Sequence, residues 1–380
     1  MKKWKRIIPA VLMILAVLLN ITARFSKTFA NFYVNHIFPL WVETYGRITG
    51  IFSFSVGEWM LYLAVCLTII LVIGGTVVLV LRKKKFQVRF AVGVRMLYKK
   101  YAMFYYWVFG IVCMVMTLNC FLLYQASPIT QRFQIGEGKK TEYGSKELTI
   151  LRDYVVEQAN ALSTEFDRDE QGYILYEGDM KAEAIRQMQR LGEQYPNLSG
   201  YYPNPKPLFA SGFYSQQYIM GYYFPFSMEA NYNRQMYLTN MPTTMCHELS
   251  HLKGFILEDE ANFIGYLACV DSEDPFFRYS AYLSVIGYLD RDFIKAIGED
   301  AEVYVEHPQI SELTASDKKF LTKETWQQVE EKAVISTETI KQAADTFLNT
   351  TLTLNGVADG TVSYSRVVNL LLKYYDGILY

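Results

Sequence analysis

The sequence predicts a membrane protein in two parts. Three N-terminal transmembrane helices precede a mainly helical α+β domain, with a small sheet just ahead of a histidine-bearing helix. Three observations carry this reading. Long apolar runs fill the first third, and helical spacing recurs through most of the remainder. One stretch, 211–239, is rich in Tyr, Phe and Ile with polar residues interleaved, as in two or three short strands.

The apolar runs span 7–23, 58–81 and 103–124. Each approaches or exceeds the roughly 20 residues that cross a bilayer, so residues 1–124 form a membrane domain whose first partner is the lipid bilayer. The first run follows a basic start and fits a signal peptide or a retained anchor. No small-residue cleavage site follows it directly, which favours the anchor. Orientation follows the basic residues. The opening MKKWKR and the stretch 82–100, with eight basic residues and no acidic one, belong in the cytoplasm. The N-terminus and the 82–102 loop are then cytoplasmic. The 24–57 loop and everything after 124 lie outside the cytoplasmic membrane. With 37 basic and 38 acidic residues the net charge is -1, so no nucleic-acid partner is expected.

Residues 125–145, rich in Gly and polar side chains, read as a linker to a domain over 146–380. Helical spacing marks 146–166, 180–195, 242–253, 257–271, 276–289, 324–349 and 364–376. Four prolines between 196 and 207 exclude regular helix there. Cys66, Cys113 and Cys120 fall in the apolar spans as ordinary thiols. Cys246 and Cys269 lack the spacing of a disulfide framework.

The chemistry concentrates in TTMCHELSHLKGFILEDEANF, 243–263. Pro242 suits a first helical turn and Gly254 suits the left-handed residue that ends a helix. On that helix His247 and His251 share a face, while Met245, Leu249 and Leu252 form the opposite, core-facing side. Two imidazoles at this spacing reach one zinc ion, and Glu248 is placed to touch a water beside it. The metzincin pattern HExxHxxGxxH fails, because Leu257 stands where its third histidine would be. The next helix opens with acidic residues instead. There Glu258 shares a face with Asn262, Ala261 and Gly265, small residues that permit close approach to the motif helix. Glu260 projects about 200° away. Phasing therefore favours Glu258 as third metal ligand, with Glu260 as the fallback. His307, in VEHPQ, is a candidate distal acid or oxyanion stabiliser; Tyr279 and Tyr282 are weaker ones.

HELSH followed by EDEAN resembles the HExxH…ExxA[DN] layout of gluzincins, including HtpX-like membrane proteases and ImmA/IrrE-type peptidases. The resemblance implies a zincin-like domain, Glu258 as ligand, and Asn262 orienting a zinc-bound imidazole. The gap after His251 is shorter than those families show, and asparagine replaces aspartate. In zincins the strand before the active helix lies along the substrate, a place that 228–238 would fill. The three spans, EANYN, the motif region and FRYSAYL together look like a bacterial membrane-protein family known only as a domain of unknown function with a zincin-like core. The expectation is a zinc metallopeptidase in the bacterial cytoplasmic membrane, binding one Zn2+ and hydrolysing a peptide or protein substrate with Glu248 as general base. The alternative is a non-catalytic zinc-binding membrane sensor or assembly protein. Intramembrane cleavage is a third reading, disfavoured because the motif lies over 100 residues past the last span.

Overall fold

Three long helices open the chain, at Trp4–Phe25, Val56–Lys83 and Val88–Met116. The computed structural model describes residues 4–83, 88–136, 140, 142–354 and 364–380. Three segments are long and apolar enough to cross a membrane: Arg6–Phe25, Val56–Leu81 and Phe90–Gln125. The third helix starts well before the apolar run, so the basic stretch expected as a loop over 82–102 is helical from Val88 onward. No proline interrupts it, and Lys and Arg are good helix formers. Residues 84–87 lie outside the described residues. The first and third helices meet at Gly110, where an added Cβ would lie 3.2 Å from Pro9. Asn20 Nδ2 also donates to Thr117 Oγ1 at 2.9 Å.

Both connectors to the C-terminal domain are built into its core. The 24–57 segment is helical over Lys27–Gly50, including π-turns at Tyr33–Ile37 and Val42–Gly46. Ala30, Tyr33, Val34, Phe38 and Val42 are buried with the domain's own apolar residues. The stretch expected as a linker over 125–145 also docks. Ile129 and Phe133, four apart and so on one face, are buried. Phe133 stacks on Tyr195 at 4.1 Å and meets Phe255 edge-on at 5.2 Å. Residues 137–139 and 141 lie outside the described residues.

The sheet has three short strands: β1 at Lys206–Pro207, β2 at Gly221–Phe224 and β3 at Glu229–Tyr232. Their order is β1-β3-β2. β1 runs parallel to β3, and β2 antiparallel, with Gly221 opposite Tyr232 and Phe224 opposite Glu229. Part of the expected strand region is instead a helix, Ser211–Gln216. β1 comes from the proline-rich passage, because a proline is tolerated at an edge strand.

The expected helices form at Ser145–Ser163, Met180–Gln194, Met241–His251, Glu258–Val270, Pro275–Ala296 and Tyr364–Tyr375. The 324–349 prediction divides into Lys323–Glu331 and Thr337–Leu354. Met245, Leu249 and Leu252 of the motif helix are buried as phased. Gly254 has φ +78° and sits against Val34, so both its conformation and its lack of a side chain are used. Cys246 and Cys269 are buried free thiols with sulfurs 3.8 Å apart.

Candidate metal centre

The motif helix, Met241–His251, and the acidic helix, Glu258–Val270, pack face to face. Gly265 is the closest approach: a Cβ there would sit 2.8 Å from the Thr243 carbonyl and 3.5 Å from His247 Cβ. Ala261, one turn earlier, is fully buried. These small residues bring the first turn of the acidic helix beside the histidines, as the phasing predicts.

Each imidazole is fixed through one ring nitrogen. His247 Nδ1 lies 2.8 Å from Asn262 Oδ1, and His251 Nδ1 lies 2.7 Å from the Phe255 carbonyl. Both partners are acceptors, so each Nδ1 carries a hydrogen and Nε2 is the ring atom that each histidine, once neutral, offers a metal. The rings stand edge-on with centroids 4.8 Å apart. One candidate ligand atom each from His247, Glu248 and His251 fall within 4.8 Å of one another. Glu258 Oε2 is 3.2 Å from His247 Nε2. Two donors about 2.0–2.1 Å from a common ion at the tetrahedral angle lie about 3.3 Å apart, so that pair has the separation a shared zinc requires.

Glu248 differs from the three candidate ligands. Its Oε1 is 3.9 Å from His247 Nε2, and its buried Oε2 has no hydrogen-bond partner. A buried carboxylate oxygen left bare costs about 1–3 kcal/mol or more, so this atom is poised for a group that the protein does not supply. The donor set, two Nε2 atoms with a carboxylate and a bare carboxylate beside them, fits a zinc ion carrying a water.

The charges are arranged to suit. Burial alone would lower the His247 pKa, but its hydrogen bond to Glu258 and the charges of Glu258 and Glu248 outweigh this and lift it to about 9. Burial pushes Glu258 up, and the hydrogen bond and charge of His247 overrule it, leaving it at about 2. Burial and the charge of His247 hold His251 down at about 4. Burial raises Glu248 to about 8. Glu258 keeps its side chain 40% exposed, which leaves the centre open on that side.

Comparison with known families supplies one match. A family profile described as protein of unknown function, DUF3810, covers residues 33–372. The chain belongs to that family. No curated protein and no solved structure matches it. The matched region takes in the second and third apolar helices, the sheet and the residues of the centre.

Two expected site residues stand elsewhere. Glu260, the fallback ligand, is buried and accepts the Ile129 N–H at 2.7 Å, on the side of the acidic helix away from the histidines. His307 pairs with Asp153 through Nδ1 at 2.7 Å and packs its ring on Phe293. Tyr279 donates to Asp317, and Tyr282 packs with Tyr154 and Tyr266.

Three contributors escaped the sequence reading. Gly221 in β2 lies flat against Glu248, where a Cβ would come within 2.3 Å of Oε1. Tyr223 places its ring 5.7 Å from His251. The Phe255 carbonyl fixes the His251 tautomer. Only Gly221 left a signal, since a glycine inside a strand marks a close approach. The segment 228–238 also changes role. β3 pairs on both sides, so its main chain has no free edge; among the described residues the free edge nearest the centre belongs to β2.

Proposed function

We propose that the protein is a membrane-anchored zinc-dependent peptidase with a zincin-like outer domain. His247, His251 and Glu258 would hold one zinc ion, with Asn262 orienting His247. The observation that carries the reading is the bare, buried Glu248 Oε2 within the cluster of His247, Glu248 and His251. A purely structural zinc site is closed by four protein ligands and has no use for such a carboxylate.

Bound zinc supplies Lewis acidity, polarising a carbonyl and making water more acidic. Glu248 takes a proton from water at Oε2 and returns it to the departing amine, as general base and then acid. Gly221 fixes where Glu248 stands by closing the space beside its carboxylate. The free edge of β2 can pair with an extended substrate chain and present its backbone beside that carboxylate. The basic ends of the apolar helices support an orientation with this domain outside a bacterial cytoplasmic membrane.

The test compares zinc content and peptide hydrolysis in wild type, Glu248→Gln and Glu258→Ala. Glu248→Gln keeps zinc and loses turnover, while Glu258→Ala loses zinc affinity. Equal turnover in wild type and Glu248→Gln sinks the peptidase reading. Zinc binding without turnover in the wild type would instead favour a sensor or assembly role.

A further inference from the structure

We infer that the centre acts on polypeptides that are themselves anchored in the bilayer, cutting them within a few residues of the membrane surface. This deepens the peptidase reading above and rests on it. The argument is one of height and attachment.

β2 is a short ruler between the centre and the second apolar helix. At one end Gly221 touches Glu248. At the other, Phe224 fills the space at Gly57, where a Cβ would lie 2.3 Å from its ring. Gly57 is in the first turn of Val56–Lys83, whose apolar span begins at Val56. Three strand steps of about 3.3 Å separate these two contacts, so along the strand they are about 10 Å apart.

The centre is also fixed at that height. Tyr223, whose ring packs on His251, donates its hydroxyl to the Asn119 carbonyl at 3.0 Å. Asn119 lies in the π-turn Thr117–Phe121, inside the apolar segment that ends at Gln125 but buried against the domain, and its Nδ2 donates back to the Pro225 carbonyl at 2.9 Å. The acidic helix is tied to the same exit through Glu260 and the Ile129 N–H, four residues beyond the end of the third apolar span at Gln125. Around the second helix the ties run both ways. Glu229 of β3 accepts the N–H groups of Val56 and Gly57 at 3.2 and 2.8 Å and pairs with buried Lys206. Glu58 accepts those of Phe209 and Ala210, both at 2.7 Å.

The surface beside these ties suits lipid rather than water. Ile51 and Phe209 are 80% and 68% exposed, and Phe52, Phe54 and Phe213 are about half exposed. All flank the first turn of the second helix in sequence or through Glu58. Trp and Tyr are the rings favoured at the headgroup level, and Trp59 and Tyr62, 56% and 36% exposed, stand in the first two turns of the second helix among these apolar side chains. This collar sets the underside of the domain in the interface.

A chain emerging beside the second helix can reach the Gly221–Tyr222 end of β2, where the strand is least buried, and pair there beside Glu248 after three or four residues. The headgroup layer is about 6 Å deep on each side, so the scissile bond falls about 3–7 residues beyond the hydrocarbon boundary. The ligand is polypeptide rather than lipid because the recognising element is an open backbone edge, which pairs with main-chain amides and carbonyls.

The experiment uses the full chain, zinc-loaded, in liposomes. It is co-reconstituted with single-span peptides carrying a randomised segment of about ten residues on the domain's side. A second pool lacks the span. A third carries a Gly/Ser spacer of about 20 residues between span and segment, adding roughly 25 Å of mean reach. Cleavage sites are mapped by mass spectrometry, with Glu248→Gln as control. The expected result is cleavage of the first pool about 3–7 residues from the span, with the soluble pool about 10²-fold slower because anchoring supplies effective concentration. Equal cleavage of the soluble pool, or cuts in the spacer pool beyond about 15 residues from the span, overturns this inference and leaves the peptidase reading standing. No cleavage of any pool above the Glu248→Gln control sinks the peptidase reading and this inference with it.

Discussion

Gly221→Ala is the most economical probe of the centre, because it moves one functional atom without touching a candidate metal ligand. The added Cβ would meet Glu248 Oε1 at 2.3 Å, Cγ at 2.7 Å and Cδ at 2.8 Å. Ordinary contact begins near 3.4 Å, so the carboxylate must retreat by about 1.1 Å. A misplacement of about 1 Å in a reacting constellation costs on the order of 10²-fold in rate, or about 2.7 kcal/mol of barrier. Gly221 is not among the glycines at positive φ, so alanine fits its backbone. Crowding the buried Glu248 should cost about 1–3 kcal/mol of stability, partly offset by the freedom removed from the unfolded chain. The assay is paired: zinc content by atomic absorption, and kcat for a cleaved peptide. Full zinc occupancy with kcat reduced about 100-fold is expected. Wild-type kcat would refute the placement of Glu248 as general base, and lost zinc would show that β2 supports the ligands rather than the base.

Three further outcomes follow from named contacts. Asn262→Ala removes the acceptor from His247 Nδ1 and should weaken zinc binding about 10–100-fold; Asn262→Asp should restore or exceed wild-type affinity, measured by competition with a chromophoric chelator. In the metal-free protein His247 titrates at about 9, so it holds a proton at about pH 7.5 that zinc must displace. Calorimetry in buffers of different ionisation enthalpy should find at least about one proton released, and a buffer-independent enthalpy would refute it. Lys206 and Glu229 form a buried ion pair; Lys206→Met should cost about 3–5 kcal/mol by leaving Glu229 unpaired, read by denaturant unfolding in detergent, with Glu229→Gln on top recovering part of the loss.

The parts of this molecule legible in the sequence are those governed by local spacing. Helical phase alone placed His247 and His251 on one face, chose Glu258 over Glu260, and put Ala261 and Gly265 where the two helices touch. What stayed hidden depends on partners distant in the chain. Glu260 looked like a ligand because it is acidic, but its role is set by the amide of Ile129, 131 residues away. The connector at 125–145 reads as a linker because composition averages over its residues, whereas its docking rests on a few of them, Ile129 and Phe133 in the core and Arg132 on the Lys253 and Gly254 carbonyls. The substrate-facing strand was assigned by sequence order, but an edge is a property of the sheet. β3 lies centrally between a parallel and an antiparallel neighbour, and no local pattern reports that.

Sheet order also bears on why apolar helices and centre belong to one family region. If β3 were the edge, substrate would pair with the strand whose Glu229 caps the second helix, and binding would compete with that attachment. With β2 outermost the two tasks separate. β3 holds the second apolar helix through Glu229, while β2, paired with β3 along one edge and last in the sheet, turns Gly221 toward Glu248 on its face. The strand that touches Glu248 is thus one hydrogen-bonded step from the strand that grips the second apolar helix. Through Tyr223, β2 also reaches the exit of the third helix. A substitution that loosens the grip, such as Glu229→Gln, should therefore shift cleavage positions along an anchored substrate before it changes zinc content. A soluble domain carrying the same ligands would have no reason to show that order of effects.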